Sequence, residues 1–339
     1  MASFIAKFFN KNYGIKLADI KSEDYLFGGF NGVPKEVLIP DKDWTSYLPS
    51  NELQKMQVQD TMACVSYSAL NCLEILLNYQ IANNELNQQD INWLRDNDYL
   101  NEHNKVAGGF SDRFLAKMSD TSKSGNYLSK VGDSVRHHGL VPDNKWNFQL
   151  NFDWDKYYQE IPEEIKQIGL DFLNRFKINY EIVYASQFEE ALKYSPIQVI
   201  VHAWKKNNNG IYIRNAETLN HSVTLFKPRH IFDHYDPFIK QLSNNYSYFN
   251  WGYKWTITPI INNKSMILKN NNLYLLTEGP EMKAGIAVDN KLLVDDWDKV
   301  QRVWLGRTKG DIRDRVISVG LADWNSVKPH YNLKMQEIK

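Results

Sequence analysis

Between Met62 and Tyr79 the chain reads MACVSYSALNCLEILLNY. Val65, Ala69, Cys72, Leu73 and Leu76 recur at i, i+4, i+7, i+8 and i+11, one face of a helix. Asp60 or Thr61 can cap its start. The polar, asparagine-rich stretch that follows, 84–125, predicts shorter helical pieces around 87–98 and 111–118. A further helix is predicted over 124–139, where Leu128, Val131 and Val135 share a face and Gly139 ends the run. Others fall near 162–175 and 186–194. The pattern then changes to β-branched and aromatic runs bounded by turn residues: PIQVIVHAW (196–204), IYIRN (211–215), HSVTLF (221–226), HIFDHY (230–235) and YKWTITPI (253–260). Helices first and strands second predict an α+β protein with a helical half and an antiparallel β half.

Three parts are expected along the chain. Residues 1–35 read as an N-terminal wrapping or pro-like segment, and 36–263 as the main domain, which opens largely extended over 36–60. Residues 264–339 read as a C-terminal α/β extension, with an asparagine-rich linker, a hairpin near 272–294 and helical pieces near 296–305 and 310–320. That extension is a candidate surface for an assembly partner.

Composition narrows the function classes. Lysine plus arginine equals aspartate plus glutamate at 40 each, so no basic excess points to nucleic acid or anionic lipid. No run is long and apolar enough for a transmembrane helix. The start, MASFIAKFFNKNYG, is broken by Lys7 and Lys11 and does not read as a secretory signal. The only cysteines are Cys64 and Cys72. On one helix they stand about 12 Å apart along the axis, beyond the roughly 7 Å between Cα atoms that a disulfide allows. Two free thiols suit a reducing, cytoplasmic compartment of a bacterial or host cell.

Position gives Cys64 its chemistry. It sits in the first turn of its helix, where the positive end of the dipole favours thiolate. His221 opens a strand in the β half, and Asp233 follows twelve residues later on the next strand. Neighbouring antiparallel strands could set that carboxylate beside the imidazole and fix its tautomer. Each element has a plainer reading. A buried free cysteine is more often a small hydrophobe, as Cys72 is taken to be, and a histidine at a strand start is usually structural. His230, Asp233, His234 and Asp236 also crowd into seven residues. On a continuous strand, however, His230 and His234 would point away from Asp233, and no HExxH or paired CxxC is present. No metal and no cofactor is expected.

The surroundings make the signal more specific. IPDKDWTSYLPSNELQKMQVQDTMACVSYSALN resembles the start of a mature papain-family cysteine peptidase: a proline (Pro40), an Asp-Trp pair (Asp43, Trp44), a glutamine (Gln59), then a cysteine (Cys64) opening a long helix, with an aromatic and a serine after it (Tyr67, Ser68). GNYLSKVGDSVRHHGLVPDNKWNF, SPIQVIVHAW and NHSVTLF are similar to later stretches of that family, in the family's order. The likeness covers roughly 36–260 and is nearest to divergent papain-like peptidases of phage and uncultured-bacterial genomes. It implies a papain-like fold and a Cys64–His221–Asp233 triad that hydrolyses peptide bonds of a peptide or protein substrate through a thioester. Gln59 and the Cys64 N–H would hold the oxyanion. It also leaves room for virion association.

Departures from the family pattern bear on the site. Met62-Ala63-Cys64-Val65 replaces the usual Gly-Ser-Cys-Trp, the cysteine just before the nucleophile is absent, and Asp233-His234-Tyr235 stands where the family usually has Asn-Ser-Trp. Gln59 lies one residue closer to Cys64 than family spacing and Gln57 one further, so either could serve the oxyanion. Two rivals follow. One is a catalytically inactive papain-fold binding or structural protein. The other is a transglutaminase- or amidase-type acyl transferase, which uses the same Cys-His-Asp chemistry.

Overall fold

The computed structural model describes residues 14–20, 26–27, 37–49, 61–101, 103, 105–106, 109–147 and 153–260, with four strands between 267 and 323. These fall into two compact units divided between Pro259 and Ile260. The first holds helices α1 (Cys64–Ala82), α2 (Gln88–Asp96), α3 (Asp112–Met118), α4 (Leu128–His138) and α5 (Glu163–Leu173). Strands follow: β1 (Phe176–Tyr184), β2 (Ile197–Val201), β3 (Trp204–Lys206), β4 (Tyr212–Arg214), β5 (His221–Lys227), β6 (His230–Phe232), β7 (Ile239–Gln241) and β8 (Tyr248–Pro259). Six of them make one antiparallel sheet in the order β1-β8-β2-β5-β6-β7, and β3 pairs with β4 beside it. The α+β class expected from the sequence is the class observed.

The predicted stripe on α1 is only part of its buried surface, because every residue from Cys64 to Gln80 is buried. Polar side chains on a helix buried all round are costly without partners. Three polar side chains of α1 tie down neighbouring loops and strands. Glu74 accepts the Phe110 N–H at 2.7 Å. Asn78 accepts the Val106 N–H and donates to Tyr47 O. Gln80 donates to Ile257 O at 2.5 Å. The helix is a central pillar with loops pinned on one side and the sheet on the other.

Its face toward the sheet is a polar seam of small residues. Cys72 Sγ lies 3.6 Å from Thr224 Oγ1, and that hydroxyl donates to Ser68 O at 2.9 Å. Ser68 Oγ lies 2.8 Å from Ser222 Oγ. Gln198 on β2 donates to Val65 O and Ser68 Oγ, both at 2.9 Å, and accepts from Trp255 Nε1 at 3.2 Å. Two strand residues, Ser222 to Thr224, thus match one helical turn, Ser68 to Cys72. Their lengths agree, at roughly 6 Å each. One turn further toward the helix start, the same spacing runs from Ser68 to Cys64 and from Ser222 to Asn220, the residue before His221 at the beginning of β5.

Trp44 secures the segment that leads toward α1. It is fully buried, its indole N–H donates to Leu192 O at 2.7 Å, and its backbone N–H donates to Phe226 O. Asp43 beside it pairs with Lys227 at 2.6 Å. The helical half closes through Gly139, which ends α4 at φ 72; a Cβ there would fall 1.8 Å from Gly169 O on α5. Only glycine fits so close a helix contact.

Several expectations change. The expected side-chain cap on α1 from Thr61 is not made, because Ala63 occupies the N-cap. Asp60 lies outside the described residues. Phe176–Tyr184, left unassigned between two predicted helices, is the nine-residue edge strand β1. The predicted helix near 186–194 shrinks to a 3₁₀ turn and a single α-turn, Phe188–Ala191.

In the second unit, β9 (Ile267–Lys269) pairs with β10 (Asn272–Tyr274), and β11 (Arg302–Arg307) with β12 (Ile317–Asp323), all antiparallel. The last two stand where the ends of the helical pieces expected near 296–305 and 310–320 would fall; the rest of those pieces lies outside the described residues. RVWLGR and ISVGLAD carry β-branched and aromatic residues, which favour strand over helix. Most of the expected 272–294 hairpin and of the segment 1–35 lies outside the described residues.

Candidate active site

Cys64 is the first residue of α1, 0% exposed, and its thiol is free of any disulfide, as is that of Cys72. The two thiols have different surroundings. Cys72 is packed in the core, and burial pushes its pKa far up. Cys64 occupies the helix start, where N–H groups have no intrahelical acceptor and the dipole favours negative charge.

His221 opens β5, paired across the ladder with Val201. Its Nε2 lies 2.9 Å from Asp233 Oδ1, and both side chains are buried. That bond fixes the ring's orientation and leaves Nδ1 as the atom to deal with a thiol. Asp233 does not continue a strand. β6 ends at Phe232, and the Asp233 N–H donates to Phe238 O at 2.8 Å across a bend.

Because the strand stops there, the expected alternation stops too. His234 comes round beside Asp233, with Nδ1 3.5 Å from Oδ1. Its ring stacks on Tyr67 at 4.4 Å between centroids with planes 8° apart, and lies 5.0 Å from the His221 ring. Tyr67 is one turn after Cys64. Tyr67 thus reaches the His221 ring through His234, and at the next position on each element Ser68 bonds Ser222.

A residue not singled out in the sequence completes the cluster. Lys240 on β7 lies 2.7 Å from Asp233 Oδ2 and also donates to Tyr235 O at 2.7 Å and Pro237 O at 2.6 Å. Burial alone would raise the Asp233 carboxyl. The charges of His221 and Lys240 and the His221 hydrogen bond overcome it and hold the group well below the usual carboxylate range. His234 goes the other way: burial pushes its imidazole well below the ordinary value, so it is a neutral ring. Trp204 meets the His221 ring edge-on at 5.6 Å and screens it from water on that side.

Ligand atoms of His221, Asp233 and His234 lie within 4.8 Å of one another, a spacing that could hold a metal ion. The Lys240 ammonium already occupies the second carboxylate oxygen, which disfavours a cation there. His230 stays outside the group, its Nδ1 2.9 Å from Pro228 O. Gln59 and Gln57 lie outside the described residues.

These features define an α+β protein with a buried cysteine at the start of its central helix and a buried His–Asp–Lys cluster carried by the sheet. No family model matches the sequence, and none of the curated proteins does. Among solved structures, digestive procathepsin L 3 of Tenebrio molitor larval midgut is similar at 12% identity and a TM-score of 0.42, over 76% of this chain and 78% of that one. Xylellain, a cysteine protease from Xylella fastidiosa, is similar at 15% identity and a TM-score of 0.41, over 73% and 90%. A structure from work on the mite allergens Blo t 1 and Der p 1 is similar at 10% identity and a TM-score of 0.39, over 76% and 78%. All three likenesses are of fold, to papain-like cysteine proteases.

Proposed function

We propose that the chain is a cysteine peptidase that hydrolyses peptide bonds with Cys64 as nucleophile, His221 as general base and acid, and Asp233 as the group that orients the imidazole. The observation that carries this reading is the buried His221–Asp233 bond of 2.9 Å at the start of β5, the strand on which α1 packs through Ser68–Ser222 and Cys72–Thr224. His221 takes the thiol proton, giving a thiolate–imidazolium pair. The thiolate attacks the substrate carbonyl, and the oxyanion is met by the backbone N–H of Cys64 with Gln59 or Gln57 as the second donor. The imidazolium returns its proton to the leaving amine, and a thioester remains on Cys64. A water molecule, deprotonated by His221, then adds to the thioester carbonyl; the C–S bond breaks, and the acid product and the thiol are released.

One observation favours a second reading, a binding protein without activity: Cys64 and His221 are 0% and 1% exposed. Hydrolysis of a mixed peptide library separates the two. The intact chain should cleave it, Cys64→Ala should abolish cleavage, and His221→Ala should lower the rate by about a thousandfold or more, with both variants still folded. Cleavage undiminished in Cys64→Ala would exclude the proposed nucleophile. A complete lack of cleavage by the intact chain would favour the binding reading.

A further inference from the structure

β7 is oriented against its own hydrophobicity. Ile239 is 50% exposed, whereas Lys240 is 3% exposed. A slip of one residue would bury the isoleucine and expose the lysine, which hydrophobic burial alone prefers. The observed register costs the desolvation of an ammonium group. It is sustained by complete satisfaction of that group: three N–H donors meet Asp233 Oδ2, Tyr235 O and Pro237 O at 2.6–2.7 Å. The rings of Trp204 and Tyr212 flank it at 5.4 and 5.8 Å. An inward lysine also protects an edge strand from pairing with other chains, but that role requires neither a carboxylate partner nor three acceptors.

The partner is the orienting residue of the proposed site. Asp233 bonds His221 through Oδ1 and Lys240 through Oδ2. We propose that Lys240 is a positioning residue that cancels the charge of Asp233, so that Asp233 orients His221 as a neutral acceptor would and the thiolate–imidazolium pair forms at lower pH. This inference rests on the catalytic reading of Cys64 and His221. The groups that the structure sets against His221 are Asp233, the neutral His234, Tyr235 and Trp204, and the catalytic reading adds Cys64. Tyr212, whose phenol burial and the nearby Asp233 and Asp236 push up, adds no charge. The net charge felt beyond Cys64 is therefore set by Asp233 and Lys240 together.

The sign of each deletion follows. Without Lys240 the carboxylate stands alone: it favours imidazolium and disfavours thiolate, so both limbs of the reactive window move to higher pH. Without the Asp233 charge the ammonium stands alone, and both limbs move to lower pH. With neither charge the window returns.

The test is the pH at which Cys64 alkylation by iodoacetamide sets in, the lower limb of the window, in the full chain with the labelled peptide identified by mass. Lys240→Met should raise the window and Asp233→Asn should lower it, each by about one pH unit. The double variant, Asp233→Asn with Lys240→Met, should restore it. If Lys240→Met alone fails to fold, the charge-neutral double variant should still fold and keep the wild-type window. Single variants that leave the window in place, or a double variant displaced from it, would overturn the role of Lys240 while leaving the catalytic pair intact. A wild-type Cys64 that titrates as an ordinary thiol would instead remove the catalytic pair, and this inference with it.

Discussion

Glu74 shows how a single buried group sets the pH response of the fold. Burial pushes its carboxyl up to about 8, against the hydrogen bond it accepts from the Phe110 N–H. A folded-state value above the unfolded one means that the folded chain holds the proton more tightly. The stability carried by neutral Glu74 is fully present below about 4.5 and is lost as pH rises through about 8. Glu74→Gln keeps the acceptor without the charge. Its advantage over wild type should open between those two values and level off above them, with roughly 5 kcal/mol as a ceiling. Thermal melts of both proteins across that range measure it, and a gap constant with pH would show that Glu74 ionises freely. At the same scale, the sequence disclosed part of the site. Cys64, His221 and Asp233 stand out by position and spacing, and His221 does meet Asp233. Lys240 did not stand out, because a lysine in a three-residue strand reads as a solvated edge; its only local sign is the isoleucine beside it facing water. His234 was set aside because the strand was assumed to run on, whereas it stops at Phe232.

Among the elements, α1 and the sheet share an apolar core and are also tied through hydroxyls and the amides of Gln198 and Gln80. Gln198 is the keystone, since it satisfies Val65 O, Ser68 Oγ and the Trp255 indole at once. Gln198→Ala should leave the buried Trp255 N–H without that acceptor and open a cavity, at a cost of about 2–4 kcal/mol in chemical denaturation. A loss under about 1 kcal/mol would mean that water replaces the amide. The helix was legible from its period, and its nearly uncharged run from 61 to 81 already reads as buried. What the sequence does not disclose is the partners of Glu74, Asn78 and Gln80, which tie it to loops and strands far along the chain. The strand β1 was overlooked although Phe176, Ile178, Tyr180 and Ile182 alternate along it. Its place between helical segments outweighed a period-two pattern that was there to be read.

For the molecule as a whole, the order of helices before strands foretold an α+β architecture, with a buried thiol at the start of the central helix and a buried imidazole at the start of a sheet strand packed on it. The C-terminal unit departs most from expectation, as its glycine-containing apolar runs form paired strands where helices were predicted. The central claim is that a covalent bond forms between substrate and Cys64. Acid-quenching the full chain during turnover of a cleaved peptide, followed by peptide mapping, tests it most directly. The account predicts an acyl adduct on the Cys64 peptide, released by hydroxylamine as a thioester is. Product accumulating with Cys64 unmodified at every time, together with cleavage surviving in Cys64→Ala, would contradict it.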